Sequence, residues 1–298
     1  MKHVRTIPGR HGGRRFAAAL LPLLLAACGA RPATEARPAM WLVEDADTCI
    51  YMLGTMHALP AGTDWNRGKV AEAANAADEL MLELSPEQLA EAGAVFQKLA
   101  PRDKPLAMEA RLPAKALAAY RRLEGGSDFG SDKLDDWAIL VLMGQKVAAE
   151  AELSPAAGVE AGLTATFRAA GKPISGLESA KAQLMLFETL DAATQRTLLV
   201  RAADNIDHAQ SDVDAMAKAW SRGDADALAK VVNEDVDRVP AARKAIITDR
   251  NRRWSEWVKR RMDNPGTVLM AVGAGHLVGQ DSLPAMLEAE GLTVRRVQ

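Results

Sequence analysis

The chain has 298 residues, of which 48% are hydrophobic and 26% charged, and its formal net charge is −2. These are ordinary globular proportions, with enough apolar material for a full core and no excess of positive charge to serve a nucleic-acid or anionic-lipid surface. Two cysteines exclude a disulfide framework.

At the amino terminus, Lys2, Arg5, Arg10, Arg14 and Arg15 form a basic stretch without an acid, followed by an apolar run from Phe16 to Ala27. That run is too short for an ordinary transmembrane helix, so residues 1–27 read as a signal peptide. It ends in Leu25-Ala26-Ala27-Cys28, which resembles the bacterial lipobox. The resemblance implies a lipidated Cys28 as first mature residue. Gly29 in place of Asp implies transfer to the outer membrane, facing the periplasm. The expected location is therefore the bacterial cell envelope, with membrane attachment only through the lipid. Removal of residues 1–27 takes five of 37 basic residues and none of 39 acidic ones, leaving a charge of −7. Cys49 is then without a partner. Inside an apolar strand it is expected to be a buried, inert thiol, with metal ligation as the alternative.

Residues 28–40 contain Pro32 and Pro38 and lack apolar periodicity, so they are expected to tether the anchor to a single domain over 41–298. Trp41 to Glu44 and Cys49 to Leu53, joined by Asp45-Ala46-Asp47-Thr48, predict a β-hairpin. Glu79 to Glu83 predicts a strand, and Ser85-Pro86 after it reads as a helix cap with proline at the first helical position. Pro173 to Leu177, Val268 to Val272 and Leu292 to Val297 read as further strands. Between them, Leu134 to Ala151, Lys181 to Leu190, Gln195 to Ala203 and Val239 to Met262 carry apolar residues at helical spacing. The expected fold class is α/β: a small central sheet surrounded by many helices, with the helix-rich stretch from about 185 to 262 forming a separate layer.

The strands end in candidate chemistry. Gly54-Thr55-Met56-His57 and Gly273-Ala274-Gly275-His276 are two Gly-x-x-His turns, each following an apolar strand, in a chain with only five histidines. Glu83 and Glu178 stand at two more strand ends, and sites in open α/β sheets form beyond the carboxyl ends of strands. Gly54, Gly273 and Gly275 are expected to let the chain turn sharply and approach a cofactor closely. Two imidazoles and a carboxylate suit a divalent metal with an open position for water. His57, His276 and Glu83 are the expected ligands, because a charge on a buried strand needs a partner. Glu178 and Glu160, the latter in Gly158-Val159-Glu160, are candidate proton carriers, whereas His208 sits in a polar stretch and reads as a solvated surface residue. There is no His-Glu-x-x-His helix, Gly-x-Ser-x-Gly elbow or Walker loop. Gly273-x-Gly275-x-x-x-Gly279 lacks the spacing of a dinucleotide fingerprint.

Taken together, Tyr51 to His57, Leu82-Glu83-Leu84, Gly171 to Glu178, Arg250 to Trp254 and Val272 to Gly279 resemble the TraB/GumN family, which includes the animal Tiki metalloproteases. The resemblance runs from Trp41 to Val297, with one departure at Asp249, where the family often has Glu. It implies an α/β fold with a metal site, and in the Tiki branch peptide cleavage dependent on Mn or Co. Zn also suits the ligand types. Arg250 and Asn251 become candidates for supporting the ligands or recognising a substrate carboxylate. The leading expectation is a metal-dependent hydrolase acting on a peptide or protein substrate, with no nucleic-acid partner. The alternative is a non-catalytic lipoprotein that holds a metal, haem or peptide, with Tyr51 and Tyr120 the only tyrosines available to a haem iron besides the histidines.

Overall fold

The computed structural model describes residues 34–126 and 129–298. The signal peptide, Cys28 and the first part of the tether lie outside the described residues. Among the described residues eight strands occur in chain order: β1 (Thr34–Glu35), β2 (Met40–Glu44), β3 (Thr48–Thr55), β4 (Thr63–Asp64), β5 (Glu79–Leu84), β6 (Ile174–Glu178), β7 (Gly266–Gly273) and β8 (Val294–Arg296). β1 and β4 pair with each other, and the other six form the central sheet in the order β6-β5-β7-β3-β2-β8. The class is α/β, as the sequence predicts.

The β2–β3 hairpin is closed by Asp45, whose carboxylate accepts from the N–H groups of Asp47 and Thr48 at 3.1 and 2.9 Å. β3, β7, β5 and β6 are parallel neighbours. The inner three, β3, β7 and β5, are covered on both faces and therefore read as near-continuous apolar runs, whereas β6 lies at the sheet edge and is partly exposed. Val268, Leu269, Met270, Ala271 and Val272 are accordingly all buried. Leu53, Leu80, Leu82 and Leu269 meet Val159, Leu163, Phe167 and Trp220 on one face. Ile50, Met52, Met270 and Val272 meet Trp254, Val258, Leu283 and Leu287 on the other. Burial of each Leu, Phe or Met contributes about 1.5–3 kcal/mol. Ser85 caps the helix Pro86–Leu99 by accepting from the Gln88 N–H at 3.3 Å, with Pro86 in its first turn.

Four expectations are corrected. The separate helical layer is not 185–262: its core joins Met108, Tyr120, Ile139 and Met143 to Leu199 and Ala203, while Trp254 and Val258, with Trp257 and Met262 beside them, are the few apolar residues of an otherwise polar helix and pack directly on the sheet. The single helix expected over 239–262 is divided into Pro240–Arg243, a π-helical segment Lys244–Thr248 and Asp249–Met262. The tether ends earlier than residue 40, since Ala36 and Met40 are fully buried. Cys49 is only half-buried, because it stands opposite Glu44 in the outermost pair of the hairpin. Burial and the nearby Glu44 and Asp45 carboxylates push its thiol pKa up.

Candidate functional site at the strand ends

The register brings the two Gly-x-x-His turns together: Gly54 pairs with Val272 and Thr55 with Gly273 across β3 and β7. The carboxyl ends of four adjacent parallel strands thus supply His57, His276, Glu83 and Glu178 to one edge of the sheet. Three of them, Glu83, His276 and His57, converge on Gly273. A Cβ at that residue would lie 3.1 Å from Glu83 Oε1, 3.7 Å from His276 Cδ2 and 3.8 Å from His57 Nε2.

The centre is held by Arg250. Its helix presents Arg250, Asn251, Trp254, Ser255 and Val258 as one buried stripe, the spacing of a single helical face, and the preceding π-helical segment sets the phase of that face. Arg250 Nη2 donates to Glu83 Oε2 at 2.6 Å and to Glu178 Oε2 at 2.9 Å. Nε donates to both Glu178 oxygens at 3.1 Å, and Nη1 to His276 Nε2 at 2.8 Å and the Ile246 carbonyl at 3.4 Å. A guanidinium has five N–H groups, so none is left for a substrate carboxylate. The cation also lies 4.6 Å from the Trp254 ring.

Asn251 fixes the second histidine. Its amide NH₂ donates to the His276 and Asp281 carbonyls at 3.2 and 2.7 Å, so its oxygen must face His276 Nδ1, 2.8 Å away. His276 is therefore the Nδ1–H tautomer, with its Nε2 lone pair turned to Arg250. Burial, with Arg250 adding to it, lowers the His276 pKa to about 3, so the ring is neutral at ordinary pH. Burial pushes the Glu83 carboxyl upward, but Arg250 and the Gly273 N–H, which donates to Oε1 at 2.7 Å, hold it down at about 2.

His57 differs on every count. Its side chain is 69% exposed, and Nδ1 lies 2.7 Å from Glu160 Oε1, which also accepts from the Thr55 hydroxyl. The hydrogen bond and charge of Glu160 raise the His57 pKa to about 9. Glu160 opens the helix Val159–Ala169, and the Val159 N–H donates to the Met56 carbonyl at 3.2 Å, tying that helix to the turn. The other oxygen of Glu160 is buried without a hydrogen-bond partner.

A family model for TraB/PrgY/gumN proteins matches residues 39–296. The chain belongs to the TraB/PrgY/gumN family. Comparisons with curated proteins and with solved structures give no match.

In this TraB/PrgY/gumN protein the expected metal ligands meet but do not form a ligand set. Both nitrogens of His276 are engaged, Nδ1 by Asn251 and Nε2 by Arg250. Both oxygens of Glu83 accept hydrogen bonds, including one from Gln183 at 3.0 Å. Among the described residues, no group of three or more His, Cys, Asp or Glu is placed to hold a metal ion. The residues as arranged do not fit a metal on His57, His276 and Glu83.

The glycines are also reassigned. A Cβ on Gly54 would meet Ala274 Cβ at 3.1 Å, and one on Gly275 would meet Val232 Cγ1 at 2.6 Å. These two serve close packing within the protein, and only Gly273 borders the site. His208 is exposed and belongs to the helical region away from the sheet, as expected. Sequence reasoning missed Gln183, Thr55 and the Arg253–Glu178 pair at 3.2 Å. A signal existed only for Thr55, inside the first Gly-x-x-His turn; Gln183 and Arg253 occupy helices that read as ordinary polar surface.

Proposed function

We propose that this protein is a hydrolase of the bacterial cell envelope, anchored by lipid at Cys28 to the outer membrane and acting on peptide bonds. The observation that carries the reading is the His57–Glu160 pair at the mouth of a buried ionic cluster: an exposed imidazole, oriented by a carboxylate, whose Nε2 faces the Glu83 and Gly273 end of the sheet. In this reading His57 in its neutral form takes a proton from the attacking water through Nε2 and returns it to the leaving amine. Glu160 holds Nδ1–H and stabilises the imidazolium formed between those steps. Arg250 and Asn251 act through Glu83, Glu178 and His276 as positioning residues. Glu178, fully occupied by Arg250 and Arg253, carries no proton in this scheme.

The test is turnover of a mixed peptide library by the full chain, after chelation and again with Mn, Co or Zn. His57→Ala and Glu160→Ala are expected to abolish cleavage. Because Glu160 holds His57 protonated, kcat/KM should climb from the ordinary histidine range of 6.5 toward about 9 and then level off. A flat or falling profile there removes His57 as the base. Absence of cleavage under every condition removes the hydrolase reading and leaves a binding lipoprotein, which the complete internal pairing of Arg250 favours. A haem in that role would have only His57 to ligate it at this edge, since the Tyr120 hydroxyl is bonded to Glu124 and Ser131 and Tyr51 packs on the sheet core. Incorporation of labelled lipid, lost in Cys28→Ala, tests the anchor.

A further inference from the structure

We infer that Arg250 is the resident cation of the strand-end site and that its guanidinium closes His276 and Glu83 to divalent metals. This does not depend on whether the site hydrolyses anything. Asn251 commits His276 Nδ1 to hydrogen donation, so Nε2 is the one nitrogen of that ring able to bind a metal. That lone pair is the one Arg250 Nη1 occupies at 2.8 Å. Because metal–nitrogen bonds are about 2 Å long, an ion on Nε2 would overlap the guanidinium nitrogen and face a buried positive charge.

The charges agree with the geometry. The Glu83 and Glu178 side chains are 9% and 5% exposed, and the cations bonded to them are Arg250, bonded to both, and Arg253, bonded to Glu178, while the nearby His57 has its own carboxylate in Glu160. Two carboxylates are thereby matched by two guanidinium groups, and a divalent ion would add charge that nothing in this inner cluster offsets. Arg suits the place better than Lys: its planar fork reaches three side chains at once, and it is less strongly hydrated than an ammonium. The first Gly-x-x-His turn has no such plug: among the described residues the His57 ring is bonded to Glu160 through Nδ1.

The experiment is calorimetric titration of the full chain with Mn²⁺, Co²⁺ and Zn²⁺, with the Co²⁺ absorption spectrum as a second readout, on wild type, His276→Ala, Arg250→Ala and the double variant. Wild type is expected to show no uptake that depends on His276. Arg250→Ala is expected to gain one site at least tenfold tighter than any in wild type, lost again in the double variant. One equivalent of metal bound by wild type and lost in His276→Ala overturns the inference, as does a folded Arg250→Ala chain that gains no site. Should Arg250→Ala unfold, ¹⁵N NMR of wild-type His276 decides: unchanged ring signals in excess Zn²⁺ support the inference, and a Zn²⁺-induced shift overturns it. Peptide turnover is not a readout here, so the hydrolase reading stands or falls separately.

Discussion

The two Gly-x-x-His turns begin one residue apart in the register of adjacent parallel strands, yet they deliver histidines in opposite states. His57 is exposed, bonded to a carboxylate and held charged up to about pH 9, whereas His276 is buried, bonded to an arginine and an asparagine, and neutral down to about pH 3. Strand and turn geometry place the two rings, and the neighbours that other elements bring to them decide their chemistry. The first ring is open to proton exchange with solvent; the second is a fixed acceptor within an ionic core.

The sharpest way to break this contrast is to remove the group that enforces it. Arg250→Ala leaves Glu83 and Glu178 buried with their main partner gone, and breaking a buried ion pair from one side costs about 3–5 kcal/mol. Urea unfolding should show a loss of that size, and a loss under 1 kcal/mol (about the worth of an exposed pair) would mean that the cluster is open to water. Next in size is Gly158→Ala. Its Cβ would fall 2.1 Å from the His57 carbonyl oxygen, so the turn or the helix must shift, at about 1–3 kcal/mol. The same variant should move the His57 titration, because it displaces the helix that carries Glu160.

The two rings should also pull stability in opposite directions with pH. His57 has a raised pKa in the fold, so its contribution is complete below 6.5 and is lost as pH rises through about 9. His276 has a lowered one, so its contribution is complete above 6.5 and is lost as pH falls toward about 3. Glu83, held at about 2, adds to the loss on the acid side, from its ordinary 4.5 downward. Thermal unfolding across pH should therefore show decline on both sides of 6.5, with the alkaline decline weakened in Glu160→Gln. In that variant the NMR titration of His57 should fall from about 9 toward 6.5, while His276 does not move. At the small end, His208→Ala should alter stability by less than about 0.5 kcal/mol, because its ring lies on the exposed surface.

Much of the scaffold is legible in the chain because its signals are local. The Asp45-Ala46-Asp47 turn, the buried run Val268 to Val272 and the Ser85-Pro86 cap each act within a few residues, and each appears where the sequence puts it. The candidate site is legible in part. His57, Glu83, Glu178 and His276 sit at strand ends that do meet, and Arg250 and Asn251 do join them. The metal reading is where sequence reasoning and geometry part. The residue types fit a ligand set, and only the three-dimensional placement shows that an arginine is bonded to two of its members.

By itself the sequence determined the six strands of the central sheet, the two turns at their ends, the family and several of the residues that gather there, because periodicity, turn chemistry and motif order are properties of short segments. Only the tertiary structure decided that β7 lies between β3 and β5, and with it which charges face one another. Arg250 and Glu83 are 167 residues apart and 2.6 Å from contact to contact. Burial and the Coulomb field of such distant partners set protonation states. That is why one repeated motif yields a charged, open histidine at its first occurrence and a neutral, enclosed one at its second.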